Sequence, residues 1–130
     1  IVNWNVEIIN YLIKMNVKDY CDKKGRYPLH QCVLHENKEL MQKLINAGAD
    51  ITCQDKKGRT PLHYACKMNS FDMCEFLLNL GASVDLPDFY GRTPMHEASA
   101  RGFDLLVQLF YEYGANPFAT DNKDVNFYFF

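Results

Sequence analysis

Apolar residues along this chain cluster at helical spacing between short polar breaks. The pattern is cleanest in the middle. Asp55-Lys56-Lys57-Gly58 is turn-forming, and Gly58 suits a backbone with positive φ that other residues avoid. Thr60 follows as a helix N-cap and Pro61 takes the first helical position, where its missing N–H costs nothing. The pattern predicts a short helix over about 61–68, broken at Asn69-Ser70, and a second over about 71–80. Met73, Cys74, Phe76, Leu77 and Leu78 supply the apolar faces of that second helix, and Gly81 ends it as a left-handed cap. The unit is therefore turn, helix, turn, helix.

The unit recurs. DKKGRYPLHQCV from Asp22, DKKGRTPLHYAC from Asp55 and DFYGRTPMHEAS from Asp88 align without insertion. Gly25, Gly58 and Gly91 are 33 residues apart, as are His30, His63 and His96, and so are the Gly-Ala pairs that begin at Gly48, Gly81 and Gly114. Such short helices do not stand alone in water, so each unit has to bury its apolar sides on its neighbours. The small residues Ala49, Ala65, Ala82, Ala98 and Ala115 mark the positions of closest approach. One domain over 1–130 is expected: a partial unit at 1–21, full units at 22–54, 55–87 and 88–120, and a partial end at 121–130. Residues 6–13 match the second helix of a unit, with Asn16 in place of the terminating Gly. At the other end Asp124 replaces the finger Gly and Phe127 replaces Pro, and the aromatic run at 127–130 suits either a pad over the end of the stack or the start of a further segment.

These residues resemble the ankyrin repeat family, whose signature is T-P-L-H-x-A. Thr60-Pro61-Leu62-His63-Tyr64-Ala65 matches in full; Thr93-Pro94-Met95-His96-Glu97-Ala98 exchanges Leu for Met of similar volume; Tyr27-Pro28-Leu29-His30-Gln31-Cys32 lacks the Thr and the Ala. The resemblance covers residues 22–120. It implies an all-α solenoid of stacked helix–turn–helix units with β-turn or hairpin fingers, and a structural role for His30, His63 and His96 in bonding the Thr hydroxyl and nearby backbone. Family units carry Gly between their helices. Gly102 fits and Asn69 can adopt the same backbone, whereas Glu36 fits poorly, so the turn 35–37 is expected to be rearranged or strained.

Composition narrows the function. Hydrophobic residues make up 48% and charged residues 23% of the 130, ordinary for a globular domain. No apolar run reaches the ~20 residues of a membrane helix. The start, Ile1-Val2-Asn3-Trp4, lacks Met and shows neither a basic n-region nor a small-residue cleavage site, and reads as cut from a longer protein. Cys21, Cys32, Cys53, Cys66 and Cys74 form no C-x-x-C pair and suit small apolar positions in a reduced core, which points to the cytoplasm or nucleus. No nucleophile elbow, P-loop or paired-carboxylate arrangement is present. The repeated histidines, one per unit, lie too far apart to share an ion. The sequence thus points to no enzyme, no cofactor and no metal. The acids Glu36, Glu39, Asp72, Glu75, Asp104 and Glu112 fall on or near second helices, as a solvated outer face.

The family resemblance implies binding through finger tips and the exposed side of the first helices. In this sequence the first two tips carry Lys23, Lys24, Arg26, Lys56, Lys57 and Arg59, and the third carries Phe89, Tyr90 and Arg92. Inner-helix positions include Leu34, His35, Lys67, Met68, Ala100 and Arg101, and Gln54, Pro87 and Thr120 precede the next fingers. Nine of the chain's 14 Lys and Arg fall on these positions and none of its 16 acids does. A positive groove steers an acidic protein or peptide and makes its binding salt-sensitive. Phe89 and Tyr90 are candidate anchors, with packing of one ring on the finger at Asp121 as the structural alternative. The alternative function is that of a regulatory or targeting domain of a larger enzyme, channel or acyl-transfer protein, docking on its own parent chain. Nucleic acid and anionic lipid fit less well, because the outer face is acidic and no stacking platform is interleaved with the basic residues. A monomer is expected.

Overall fold

A computed structural model of the chain describes residues 20–123, and before them Glu7, Asn10, Tyr11 and Lys14, which are helical. With Tyr20 and Cys21 these four are the part of the N-terminal partial unit that is described; Asn16, Asp124, Phe127 and the aromatic run lie outside the described residues. Six helices follow one another from residue 20 on: α1 (Pro28–Leu34), α2 (Lys38–Asn46), α3 (Pro61–Lys67), α4 (Phe71–Asn79), α5 (Pro94–Arg101) and α6 (Asp104–Glu112). No strand forms among the described residues, so the fingers are turns rather than hairpins with a ladder.

Each pair of helices packs against itself, and α1, α3 and α5 stack in a row, with α4 also on α6. The seam is apolar. Leu29, Leu62 and Met95 are buried on the inner helices, and Met41, Leu44, Met73, Leu77, Leu106 and Phe110 on the outer ones. Ala65 and Ala98 are completely buried where inner helices approach, and Ala115 nearly so. Truncating a buried leucine such as Leu77 in a seam of this kind costs about 2–5 kcal/mol.

Local chemistry sets the helix starts. Thr60 and Thr93 cap α3 and α5 with their hydroxyls, and Pro follows each at the first helical position. Tyr27 has no such hydroxyl in place, yet its N–H still donates to His30 Nδ1 at 3.0 Å. Asn37 and Ser70 cap α2 and α4. Both α3 and α4 end one residue earlier than the sequence pattern suggests, at Lys67 and Asn79, with Met68 and Leu80 as C-caps.

The inter-helix turn at Glu36 is strained but not rearranged. Glu36, Asn69 and Gly102 adopt left-handed φ values of 52°, 53° and 73°. The first two turns make the same bonds: Glu36 N–H to the Val33 carbonyl and Asn37 N–H to Cys32, matched by Asn69 to Cys66 and Ser70 to Ala65. These local bonds hold Glu36 to the shape that Gly adopts freely. Its carboxylate also reaches the next unit, accepting from Ser70 Oγ at 3.4 Å.

Candidate functional site: a basic concave groove

Each finger is tied by an aspartate. Asp22 accepts the N–H groups of Lys24 and Arg26, Asp55 those of Lys57 and Arg59, and Asp88 those of Tyr90 and Arg92, all at 2.8–3.0 Å. A carboxylate gripped by two N–H donors holds the tip in a tight turn and turns the intervening side chains outward. Burial raises the pKa of Asp22 and Asp55, but the hydrogen bonds they accept outweigh it and hold both below the usual carboxylate value. The Tyr64 hydroxyl adds a bond to Asp55 at 2.5 Å, and burial with that carboxylate pushes the phenol's pKa up.

Adjacent fingers are joined backbone to backbone. Lys56 N–H donates to the Lys24 carbonyl, Phe89 to Lys57 and Asn122 to Tyr90. This close approach explains the finger glycines. A Cβ on Gly58 would lie 2.6 Å from the Phe89 nitrogen, and one on Gly91 2.7 Å from that of Asn122.

The three histidines brace the fingers from behind. His63 Nδ1 accepts the Thr60 N–H at 3.1 Å and meets its hydroxyl at 2.8 Å, while Nε2 donates to the Arg92 carbonyl of the next finger at 2.9 Å. His96 repeats this with Thr93 and the Ala119 carbonyl, and His30 with the Tyr27 N–H and the Arg59 carbonyl. This pattern requires the neutral tautomer with hydrogen on Nε2. Burial pushes His30 and His63 below the usual histidine pKa of 6.5, against the pull of the carbonyls of Arg59 and Arg92. Both ring nitrogens are engaged, so neither is available as a ligand or base without breaking the scaffold.

In front of this frame lies an open groove of about 830 Å³. It gathers the basic residues that the sequence singles out: Lys23, Lys24, Arg26, Lys56, Lys57, Arg59, Lys67, Arg92 and Arg101. Leu34 and Met68 add apolar floor, 36% and 39% exposed. Three carboxylates also line it, Asp55, Asp88 and Glu97, so the groove is less one-sided than the expected set of basic positions without an acid. Glu97 is the residue that sequence reasoning missed. Its signal was the i, i+4 spacing to Arg101, which on a helix puts the two side chains together. Glu97 holds Arg101 Nε at 2.5 Å and Arg92 at 3.5 Å. Arg26 pairs with Asp22 at 2.8 Å and Arg59 with Asp88 at 3.7 Å. Every groove arginine is thus partly neutralised. Among the described residues no carboxylate pairs with Lys23, Lys24, Lys56, Lys57 or Lys67.

Phe89 and Tyr90 stand apart from the groove lining, at 62% and 57% exposure. The Phe89 ring leans back over Gly58 of the second finger, with a ring carbon 2.5 Å from where a Gly58 Cβ would sit. The finger at Asp121 reaches the Phe89 backbone with a side chain, Asn122 Nδ2 donating to the Phe89 carbonyl. Gln54 is a brace, its amide donating to the carbonyls of Gly58 and Pro87. The acids Glu36, Glu39, Asp72, Glu75, Asp104 and Glu112 are all solvent-exposed.

Among the described residues no cluster of three His, Cys, Asp or Glu is arranged to hold a metal ion. Burial pushes the thiols of Cys32 and Cys74 to about 12 and that of Cys66 higher, leaving them protonated. Cys21 is exposed and Cys53 half-buried, so the five cysteines do not all belong to the core as their pattern suggested. No helix among the described residues is long and apolar enough to cross a membrane.

Comparison with known proteins agrees with this architecture. Residues 29–121 match a family model described as ankyrin repeats in three copies. The chain is similar to the ankyrin repeat domain of Bcl-3, described as a unique member of the IkappaB protein family, with 33% identity and a TM-score of 0.81. That match covers 85% of this chain and 49% of the Bcl-3 chain, so this chain spans about half the length of its neighbour. A search of curated proteins gives no match. With its 33-residue step, capped inner helices and bracing histidines, the chain belongs to the ankyrin repeat family.

Proposed function

We propose that this chain is a non-catalytic interaction module that holds an acidic segment of a partner protein in its concave groove. One observation carries the reading. Nine basic side chains line a single groove, and five of them are lysines that no described carboxylate neutralises. Clustered ammonium groups repel one another and raise the local potential, and an acidic ligand relieves this. Leu34 and Met68 supply apolar contact beneath the charges. Phe89 and Tyr90 serve as a separate anchor at the finger tips, outside the charged groove. The module acts as a monomer in the cytoplasm or nucleus, where buried free thiols persist.

The test is capture of partners from cell extract on immobilised wild-type chain and on Lys56→Glu/Lys57→Glu. Arg59 is left intact because it pairs with Asp88. The expected result is a defined acidic protein retained at low salt, released as salt rises, and absent from the charge-reversed chain. Full retention of every captured protein by that variant, with an unchanged melting curve, overturns the reading. If the captured segment belongs to the same polypeptide as the repeats, the module is a docking domain for its own parent chain.

A further inference from the structure

Resting on that reading, we propose that only the first two fingers receive the acidic segment, and that Glu97 closes the third-repeat end of the groove as a resident anion. The asymmetry is in the side chain that follows each bracing histidine. Gln31 donates to Asp22 at 3.3 Å and Tyr64 donates to Asp55, so both spend a neutral hydrogen bond on their own finger. The third unit has a carboxylate at this position, and it turns instead to Arg92 and Arg101. Asp88, with no side-chain donor from its own helix, lies 3.7 Å from Arg59 of the neighbouring finger.

The consequence is a graded potential. Toward the first repeats the groove offers Lys23, Lys24, Lys56, Lys57 and Lys67 as ammonium groups in no described ion pair. Toward the third it offers arginines already bridged by Glu97. A carboxylate arriving there meets repulsion from Glu97 before it gains from Arg101, while one arriving between the first two fingers meets lysines in no described ion pair, with Asp22 and Asp55 held by the N–H groups of their own fingers. Lysine ammoniums act as point charges without the planar fork of arginine, so this end selects charge density rather than a fixed bidentate geometry. Stacked helices lie about 8–10 Å apart and an extended strand advances about 3.3 Å per residue. An extended segment with acids every third residue therefore presents one carboxylate per finger.

The probe is a synthetic peptide with Glu at every third position between serines, titrated into the isotopically labelled chain at about 20 mM salt, where screening is weak. Amide shifts in the NMR spectrum report where it sits. In the wild type the amides of Lys23, Lys24, Lys56, Lys57 and Lys67 move, while those of Arg92 and Arg101 stay in place. In Glu97→Gln, which keeps the side-chain shape and removes the charge, the shifts spread to Arg92 and Arg101. Binding there tightens about two- to fivefold, the range of one exposed charge pair. A peptide that moves Arg92 and Arg101 as early as Lys56 and Lys57 in the wild type, or a site unchanged by Glu97→Gln, overturns the role of Glu97 while leaving the acidic partner standing. A peptide that moves no groove amide in either chain overturns the acidic partner itself.

Discussion

Alanine at two left-handed glycines, Gly58 and Gly81, separates backbone strain from close approach. Both have positive φ, 78° and 97°. A left-handed alanine costs about 1–2 kcal/mol, and loss of glycine's freedom in the unfolded chain returns about 0.4–1 kcal/mol. Gly81→Ala has only these two contributions, because a Cβ there meets nothing within 4 Å. Its expected cost is about 0.5–1.5 kcal/mol. Gly58→Ala adds an overlap, with the new Cβ 2.6 Å from the Phe89 backbone nitrogen. That nitrogen cannot give way freely, since its N–H is bonded to the Lys57 carbonyl at 3.0 Å. Overlap of this kind adds about 1–3 kcal/mol, for a total of about 2–4 kcal/mol. With a urea slope of about 1–3 kcal/mol per molar, Gly58→Ala lowers the unfolding midpoint by a molar or so, and clearly more than Gly81→Ala. The assay is urea unfolding followed by far-UV circular dichroism on the three chains side by side. Equal midpoints for the two variants would refute the claim that finger stacking, rather than dihedral strain alone, demands glycine at position 58.

Further outcomes follow from the same structure. Glu36→Gly relieves a left-handed glutamate at the loss of one long exposed bond to Ser70, and is expected to raise stability by about 0.5–1 kcal/mol, read as a higher urea midpoint. His30 and His63 have folded pKa values below the ordinary 6.5. Above that value both folded and unfolded chains hold them neutral and stability is full. As pH falls below it, the unfolded chain takes protons that the native chain refuses, so stability drops progressively down to the folded pKa values. Unfolding midpoints at pH 7.5, 6 and 5 check the trend, and a midpoint that rises as pH falls over this range would contradict it. With a thiol reagent at neutral pH, Cys21 is expected to react fast, whereas Cys32, Cys66 and Cys74 react only as the chain unfolds; mass spectrometry of quenched samples distinguishes them.

The regular parts of the molecule were legible because their causes are local. Thr60 beside Pro61 starts a helix, and Gly81 ends one through contacts within a few residues. Repetition at 33 residues then forces stacking, since no single unit buries its own apolar faces. The basic positions of the groove were legible by the same register. Its charge balance was not. Asp88 belongs to one finger by sequence yet pairs with Arg59 of the one before, and Glu97 faces the groove and holds arginines from both a finger and a helix end. Phe89 leans back over Gly58 rather than onto the finger that follows it.

Sequence alone determined that the chain is a stack of helical units, which residues cap and turn them, and which face carries the lysines and arginines. These follow from dihedral preference, short-range hydrogen bonds and periodicity, all of which act along the chain. Tertiary structure decided which of those charges are engaged in ion pairs, why the finger glycines tolerate no Cβ, and that Glu36 is held strained instead of rearranging. The Arg59–Asp88 pair and the glycine contacts depend on a neighbouring unit, whereas the pairs of Arg26, Arg92 and Arg101 and the bonds at Glu36 depend on geometry within one unit. Packing chooses among the rotamers and approaches that the local sequence leaves equally open.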